Sequence, residues 1–171
     1  MGRGYVGISA MGRLEAKWLD SMAKARASFP NSYLQAVKAD RVLNERQLIF
    51  SLYNVLMAHE YGYSKMKRID AELLLNLSGT NNFEEALAQL APNEGDDVVV
   101  VSYSEDEKIL PIMMEYFMKE VGARIQSLKA NEKKMRYLTE IYGLGSEGEL
   151  SEEMTLNFLA EESAIFYVRY R

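Results

Sequence analysis

The side chains that could do acid–base or nucleophilic chemistry in this chain are few. It has one histidine, His59, and no cysteine, which excludes thiolate nucleophiles, disulfides and cysteine metal sites. His59-Glu60 begins like a zinc-protease helix, but the place of the second histidine is held by Tyr63, so His59 reads as a partly buried helix residue with one satisfied nitrogen. Asp70, Glu72, Glu84 and Glu85 are carboxylates near a possible cleft, and helix capping, first-turn dipole complementarity and solvation account for all four. Gly2-Arg3-Gly4-Tyr5-Val6-Gly7 matches a dinucleotide-binding glycine pattern that no strand can precede, and Gly143-Leu144-Gly145-Ser146 lacks the lysine of a phosphate loop. Asn76-Leu77-Ser78 has the form of a glycosylation acceptor inside a helix. No catalytic, cofactor-binding or metal-binding residue is expected.

What remains is recognition chemistry. Lys65, Lys67 and Arg68 form a basic turn ahead of a small polar elbow, Gly79 to Asn82. Such cations are often only a solvated loop. Here backbone N–H groups and the amides of Asn81 and Asn82 stand close in sequence to the charges, a combination that suits a phosphate or a base edge. Lys129, Lys133, Lys134 and Arg136 form a second basic cluster that would extend a phosphate track.

Two helices must position the elbow. In the first, Asp70 is the expected cap, Leu73, Leu74 and Leu77 share a face, and Gly79 supplies a left-handed stop. In the second, Asn81 with Glu84 forms a capping-box-like start, and Phe83, Ala86, Leu87 and Leu90 face inward.

The rest of the chain reads as α+β: a small mixed sheet of about three to four strands with about six to seven helices, in a single domain spanning 1–171. Tyr5 to Ser9 is a first strand, and a helix from about Arg13 to Ser28 carries Leu14, Trp18, Met22 and Ala25 at helical spacing. Phe29-Pro30-Asn31 ends it, and Tyr33 to Lys38 is a short strand. Asn44 with Gln47 caps a helix to about Tyr61 with Leu48, Leu52, Val55 and Leu56 inward. Val98 to Val101, β-branched throughout, is the central strand and needs cover on both faces. A helix near Leu110 to Glu120 tolerates Pro111 in its first turn, and Ala123 to Leu128 returns as a strand. Asn131 to Tyr142 is helical with Met135 and Leu138 inward, Gly143 to Gly148 is an acidic loop, and Ser151 caps a last helix through Phe166 or beyond.

That last helix is apolar around its circumference over Ala164 to Val168. A helix of this kind is either buried all round or offers a face to a partner. Composition sets the outer limits. The opening residues are too short and glycine-rich for a signal peptide, and no apolar run approaches the roughly 18 residues of a membrane span. A soluble, cytoplasmic protein is expected. A net charge of −5 argues against broad wrapping of nucleic acid, so any RNA contact must be local.

The stretch KMKRIDAELLLNLSGTNNFEEALAQL, Lys65 to Leu90, resembles the signature of the kinase-regulating subunit family of the KEOPS complex, the TPRKB-like proteins. Glu72 with Leu73-Leu74-Leu75, then Asn76-Leu77-Ser78-Gly79, Asn81-Asn82-Phe83 and Glu85-Ala86-Leu87 follow that family's order and spacing. Leu48 to Gly62, Val98 to Tyr103 and Gln126 to Leu144 resemble its preceding helix, its following strand, and its closing strand and helix. Asn81-Asn82 is similar to the eukaryotic form of the elbow, and Leu90-Ala91-Pro92 departs from the aromatic-glycine ending common among relatives.

The resemblance implies a non-catalytic accessory subunit without a cofactor. Such a subunit binds and stimulates the small KEOPS kinase/ATPase directly and meets the KEOPS metalloenzyme indirectly. It also helps recruit the acceptor end and CCA tail of tRNA for threonylcarbamoyladenosine modification. Carried onto this chain, the RNA-binding residues are Lys65, Lys67, Arg68, Gly79, Asn81 and Asn82, and the kinase-docking residues are Phe158, Ile165 and Phe166. The alternative is a free-standing RNA-binding module without a kinase partner, which complete burial of the apolar C-terminal run would favour.

Overall fold

The computed structural model describes residues 4–11, 18–121, 125–126, 128–144 and 150–170. The expected Arg13, Leu14, Ala123 and Arg124, part of the acidic loop after Gly143, and the first two residues of the glycine pattern lie outside them. The chain forms two compact units, one from Met1–Ala39 and Pro92–Leu128, the other from Asp40–Ala91 and Lys129–Arg171. Its class is α+β, with seven helices and four strands among the described residues.

The first unit is a sheet with two helices. Its strands are β1 (Tyr5–Met11), β2 (Ser32–Lys38), β3 (Val98–Ser104) and β4 (Ile125–Gln126), in the order β2-β3-β1-β4. Every pairing is antiparallel, where a mixed sheet was expected. The reason lies in how the crossovers interleave. Helix α1 (Trp18–Ser28) links β1 to β2, and α5 (Ile109–Val121) links β3 to β4. Each crossover joins two parallel strands but leaves a gap that a strand of the other pair fills, so immediate neighbours always oppose. The register aligns Tyr5 and Ser32 with Ser104, and Met11 and Lys38 with Val98.

Val98 and Val100 pack with Leu34, Ala36, Trp18, Met22, Ala25, Met113 and Phe117 in one core. Val99 and Val101, on the opposite face by strand alternation, are buried as well. At Gly7, where β1 passes β3, a Cβ would stand 2.6 Å from Ser102 Oγ and displace the hydroxyl that donates to the Gly7 carbonyl at 3.1 Å.

The second unit is helical: α2 (Glu45–Tyr61), α3 (Ile69–Ser78), α4 (Phe83–Leu90), α6 (Glu132–Tyr142) and α7 (Glu152–Arg169). Asn44, Asn131 and Ser151 cap α2, α6 and α7 by accepting from the N–H groups of Gln47, Lys134 and Met154. Gly62, Gly79 and Gly143 end α2, α3 and α6 in the left-handed conformation. Leu43, Leu138, Leu156 and Leu159 form a core with Phe50, Met135 and Tyr142. Helix α3 runs through the middle of the unit, with Asp70 and every residue from Glu72 to Ser78 buried.

Three local expectations are corrected. Asp70 does not cap α3, which starts one residue earlier at Ile69, and Arg68 holds the cap position without a capping bond from its side chain to the helix N–H groups. The cap of α4 is Asn82 rather than Asn81. Leu87 is on the outer side of α4, while Ala86 and Leu90 are buried.

Candidate functional site

All the residues expected to bind RNA or a kinase lie in the helical unit. The basic turn is built from below by a buried acid. Glu72 is completely buried, and its carboxylate accepts the Lys65 N–H at 3.0 and 2.9 Å and also the Met66 N–H. An ionised acceptor facing backbone donors makes a strong bond, so Glu72 fixes the start of the turn against α3. Asp70, also buried, takes both arms of the Arg68 guanidinium at 2.9 and 2.7 Å. Arg68 is thus half of a neutral pair. Lys65 extends its ammonium to the Tyr170 carbonyl, and Lys67 is exposed with no partner among the described residues.

The elbow is held from the other side by two tyrosines. Gly79 has φ 68°, which a side chain adopts only with strain. The Tyr142 hydroxyl donates to the Leu77 carbonyl at 3.0 Å, and the Tyr170 hydroxyl donates to the Gly79 carbonyl at 3.0 Å. Burial pushes the Tyr142 phenol well above its ordinary pKa, with the nearby Glu162 charge adding to it, so it stays a donor.

Thr80 donates to Glu85 at 2.8 Å, and Asn82 Oδ1 accepts the N–H groups of Glu84 and Glu85 at 3.0 and 3.2 Å. The cap thus satisfies these two N–H groups at the start of α4, and of the elbow N–H groups expected to meet a phosphate that of Asn82 donates to Thr80 Oγ1 at 3.2 Å. Asn81 and Asn82 are both exposed, and the Asn81 amide makes no cap bond.

Tyr170 therefore brings the two halves of the expected patch together: its backbone oxygen takes Lys65 and its hydroxyl takes Gly79. Sequence reasoning missed this residue, and no spacing rule links positions 65, 79 and 170. The four residues of the second basic cluster stand in different settings. Lys133 pairs with Asp40 at 2.9 Å. Lys134 is buried, which lowers its pKa despite the Asp40 charge. Lys129 and Arg136 are exposed.

Helix α7 separates the three residues expected to dock a kinase. Phe166 is only 1% exposed and belongs to the core. Phe158 is partly buried with its ring edge-on to Tyr142, centroids 6.0 Å apart. Ile165 is 43% exposed, and Met154 and Val168, on the same side by helical spacing, reach 57% and 68%. Asn54 of α2 donates to Ser163 Oγ at 2.9 Å, Ser163 donates to Asn76 Oδ1 at 2.6 Å, and Asn76 returns a bond to the Ser163 carbonyl at 3.1 Å. This buried network locks α2, α3 and α7 in one rotation, so the outer face of α7 is fixed by its inner one.

The family model described as kinase binding protein CGI-121 matches residues 14–164. The chain belongs to the CGI-121 family. The match takes in the basic turn, the elbow and most of α7, including Phe158. A CGI-121 protein is a kinase-binding protein, and the exposed apolar side of α7 is a surface of the kind that a partner covers. Among the described residues no cluster of His, Cys, Asp and Glu is arranged to hold a metal ion. No helix among them is long and apolar enough to cross a membrane.

Proposed function

We propose that this protein is the kinase-binding accessory subunit of a KEOPS complex in the cytoplasm. In this reading it docks on the small kinase/ATPase subunit, stimulates it, and helps present the acceptor end of tRNA for threonylcarbamoyladenosine formation. The metalloenzyme subunit is met through the kinase and performs the chemistry, while this chain performs none. The family match over residues 14–164 carries the kinase half of the proposal. The surface chemistry of α7 supports it, since Ile165 and Val168 are apolar and exposed one turn from the Arg169–Glu162 ion pair and so resemble an interface core beside a polar rim.

The RNA half rests on Lys65, Lys67, Gly79, Asn81 and Asn82, and the bonds of Tyr170 to Lys65 and Gly79 support it by tying the turn to the elbow. Lys67 and the Asn81 amide face solvent there, and Arg68 sits beside them as a neutralised pair. One charge free of partners suits a weak, local contact, as the net charge of −5 requires. The free-standing RNA module is less favoured, because the C-terminal apolar run is not wholly buried.

The test is reconstitution. The chain is mixed with the purified small KEOPS kinase, and complex formation, ATPase rate and tRNA binding are measured. Complex formation with a raised ATPase rate is expected. A kinase that neither binds nor responds would overturn the proposal. Lys67→Glu is expected to weaken tRNA binding and reduce its salt dependence while leaving kinase affinity unchanged.

A further inference from the structure

An aromatic ladder runs from the core of the helical unit to its surface beside the basic turn. Phe166, 1% exposed, meets Tyr167, 6% exposed, edge-on at 5.0 Å. Tyr167 meets Tyr63 at 6.5 Å, and Tyr63 lies nearly parallel to Tyr61, centroids 6.0 Å apart and planes at 12°. Exposure rises outward along the ladder, to 39% at Tyr63 and 60% at Tyr61.

The arrangement depends on Gly62, whose φ of 76° ends α2. The chain reverses there so that the N–H groups of Tyr63 and Ser64 both donate to the Ala58 carbonyl, at 2.9 and 3.2 Å. The reversal lays the Tyr63 ring beside the Tyr61 ring. Two residues further on, Lys65 is pinned by Glu72 and Tyr170.

We propose that the Tyr61–Tyr63 ring pair is a stacking platform for an unpaired nucleobase of the RNA whose backbone passes Lys67. The inference rests on the RNA half of the proposed function and adds a base-binding element to it. Every base presents a π-face, so a stacked aromatic pair beside a cation takes single-stranded RNA without needing a particular sequence. The inner end of the ladder is locked in the core, so the outer ring is already in place and little ordering is lost when a base stacks on it. A long apolar side chain at position 61 would bury similar area but would offer no ring face.

The full-length chain is titrated with a single-stranded RNA hexamer carrying one 2-aminopurine, whose fluorescence is quenched on stacking. Wild type and Tyr61→Phe are expected to bind and quench alike. Tyr61→Leu should lose the quenching and bind about tenfold more weakly, with far-ultraviolet circular dichroism and kinase affinity unchanged. Lys67→Glu should weaken binding in a salt-dependent way while the bound fraction still quenches.

RNA binding with no quenching, and no change in Tyr61→Leu, would overturn the platform and leave the proposed RNA contact standing. Loss of kinase affinity in Tyr61→Leu with RNA binding intact would make the ring pair a protein contact and overturn the platform. A wild-type chain that fails to bind the hexamer would remove the platform together with the RNA half of the proposed function.

Discussion

Tyr170, the residue that follows α7, donates its hydroxyl to the carbonyl of Gly79 at 3.0 Å. Its ring packs on Phe166 with centroids 5.1 Å apart, and its backbone oxygen receives the Lys65 ammonium. One residue thus joins the helix with the exposed apolar side to the turn and the elbow of the proposed RNA patch. The proposed docking and RNA surfaces share a scaffold, and the substitutions that separate them must spare that scaffold.

Gly79→Ala and Gly62→Ala form a matched pair. Both glycines are left-handed, at φ 68° and 76°, so each alanine costs about 1–2 kcal/mol in backbone strain. At Gly62 a Cβ meets nothing within 4 Å, whereas at Gly79 it would stand 3.1 Å from Tyr142 Cε1. Gly79→Ala should be the more destabilising of the two in urea denaturation. Equal losses would show that Tyr142 yields freely and does not clamp the elbow.

Glu72→Gln tests the buried acid under the basic turn. With its oxygen in the place of Oε2 the amide still accepts from Lys65 and Met66, but it turns an NH2 toward the Lys65 N–H where Oε1 accepted as well, so one buried contact is lost and a donor is left facing a donor. A loss of about 1–3 kcal/mol is expected. Amide hydrogen exchange at Lys65 and Met66 should rise more than at Leu74. A uniform rise across α3 would mean that Glu72 stabilises the whole unit and has no special hold on the turn.

Phe166 and Ile165 are neighbours in sequence with opposite expected behaviour. Phe166→Ala should cost about 3–5 kcal/mol by opening a cavity in a fully buried site. Ile165→Glu lies on the exposed side and should leave stability within about 0.5 kcal/mol of wild type, yet abolish capture of the small kinase in size-exclusion chromatography. An Ile165→Glu chain that still binds the kinase at full affinity would move the docking face off this side of α7.

The contrast shows where local sequence reasoning stops. Several caps and stops were legible because they are set within one turn: Asn44, Ser151 and Gly79 behave as their types and spacing require, whereas the caps expected at Asp70 and Asn81 each fall at a nearby position. Val98 to Val101 was legible as a central strand for the same kind of reason. Which side of α7 faces out was not, because Ala164 to Val168 is apolar all round and the rotation is set by Asn54, Asn76 and Ser163 from three helices. The neutralising of Arg68 was hidden for a different reason. In the sequence Asp70 reads as a helix cap, whereas it lies inside the first turn of α3 and its buried carboxylate pairs with Arg68 across that turn.

His59 gives a pH test whose sign can be worked out. Burial lowers its pKa below the usual value of 6.5, and the Glu72 charge opposes that shift only in part. The imidazole Nε2 is buried without a hydrogen-bond partner, so the neutral form suits the site better than the cation does. In the unfolded chain the group titrates near 6.5, so as pH falls through that value the unfolded state takes up a proton that the folded state still refuses. The stability from a neutral His59 is therefore fully present above about pH 6.5 and declines below it, until the folded form titrates as well. Urea midpoints measured from pH 8 to pH 5 should fall more steeply in wild type than in His59→Gln, which has no proton to gain. Glu72→Gln should steepen the decline at the acid end, because it removes the charge that helps the folded state hold the cation. Parallel wild-type and His59→Gln curves would place the acid sensitivity on other groups.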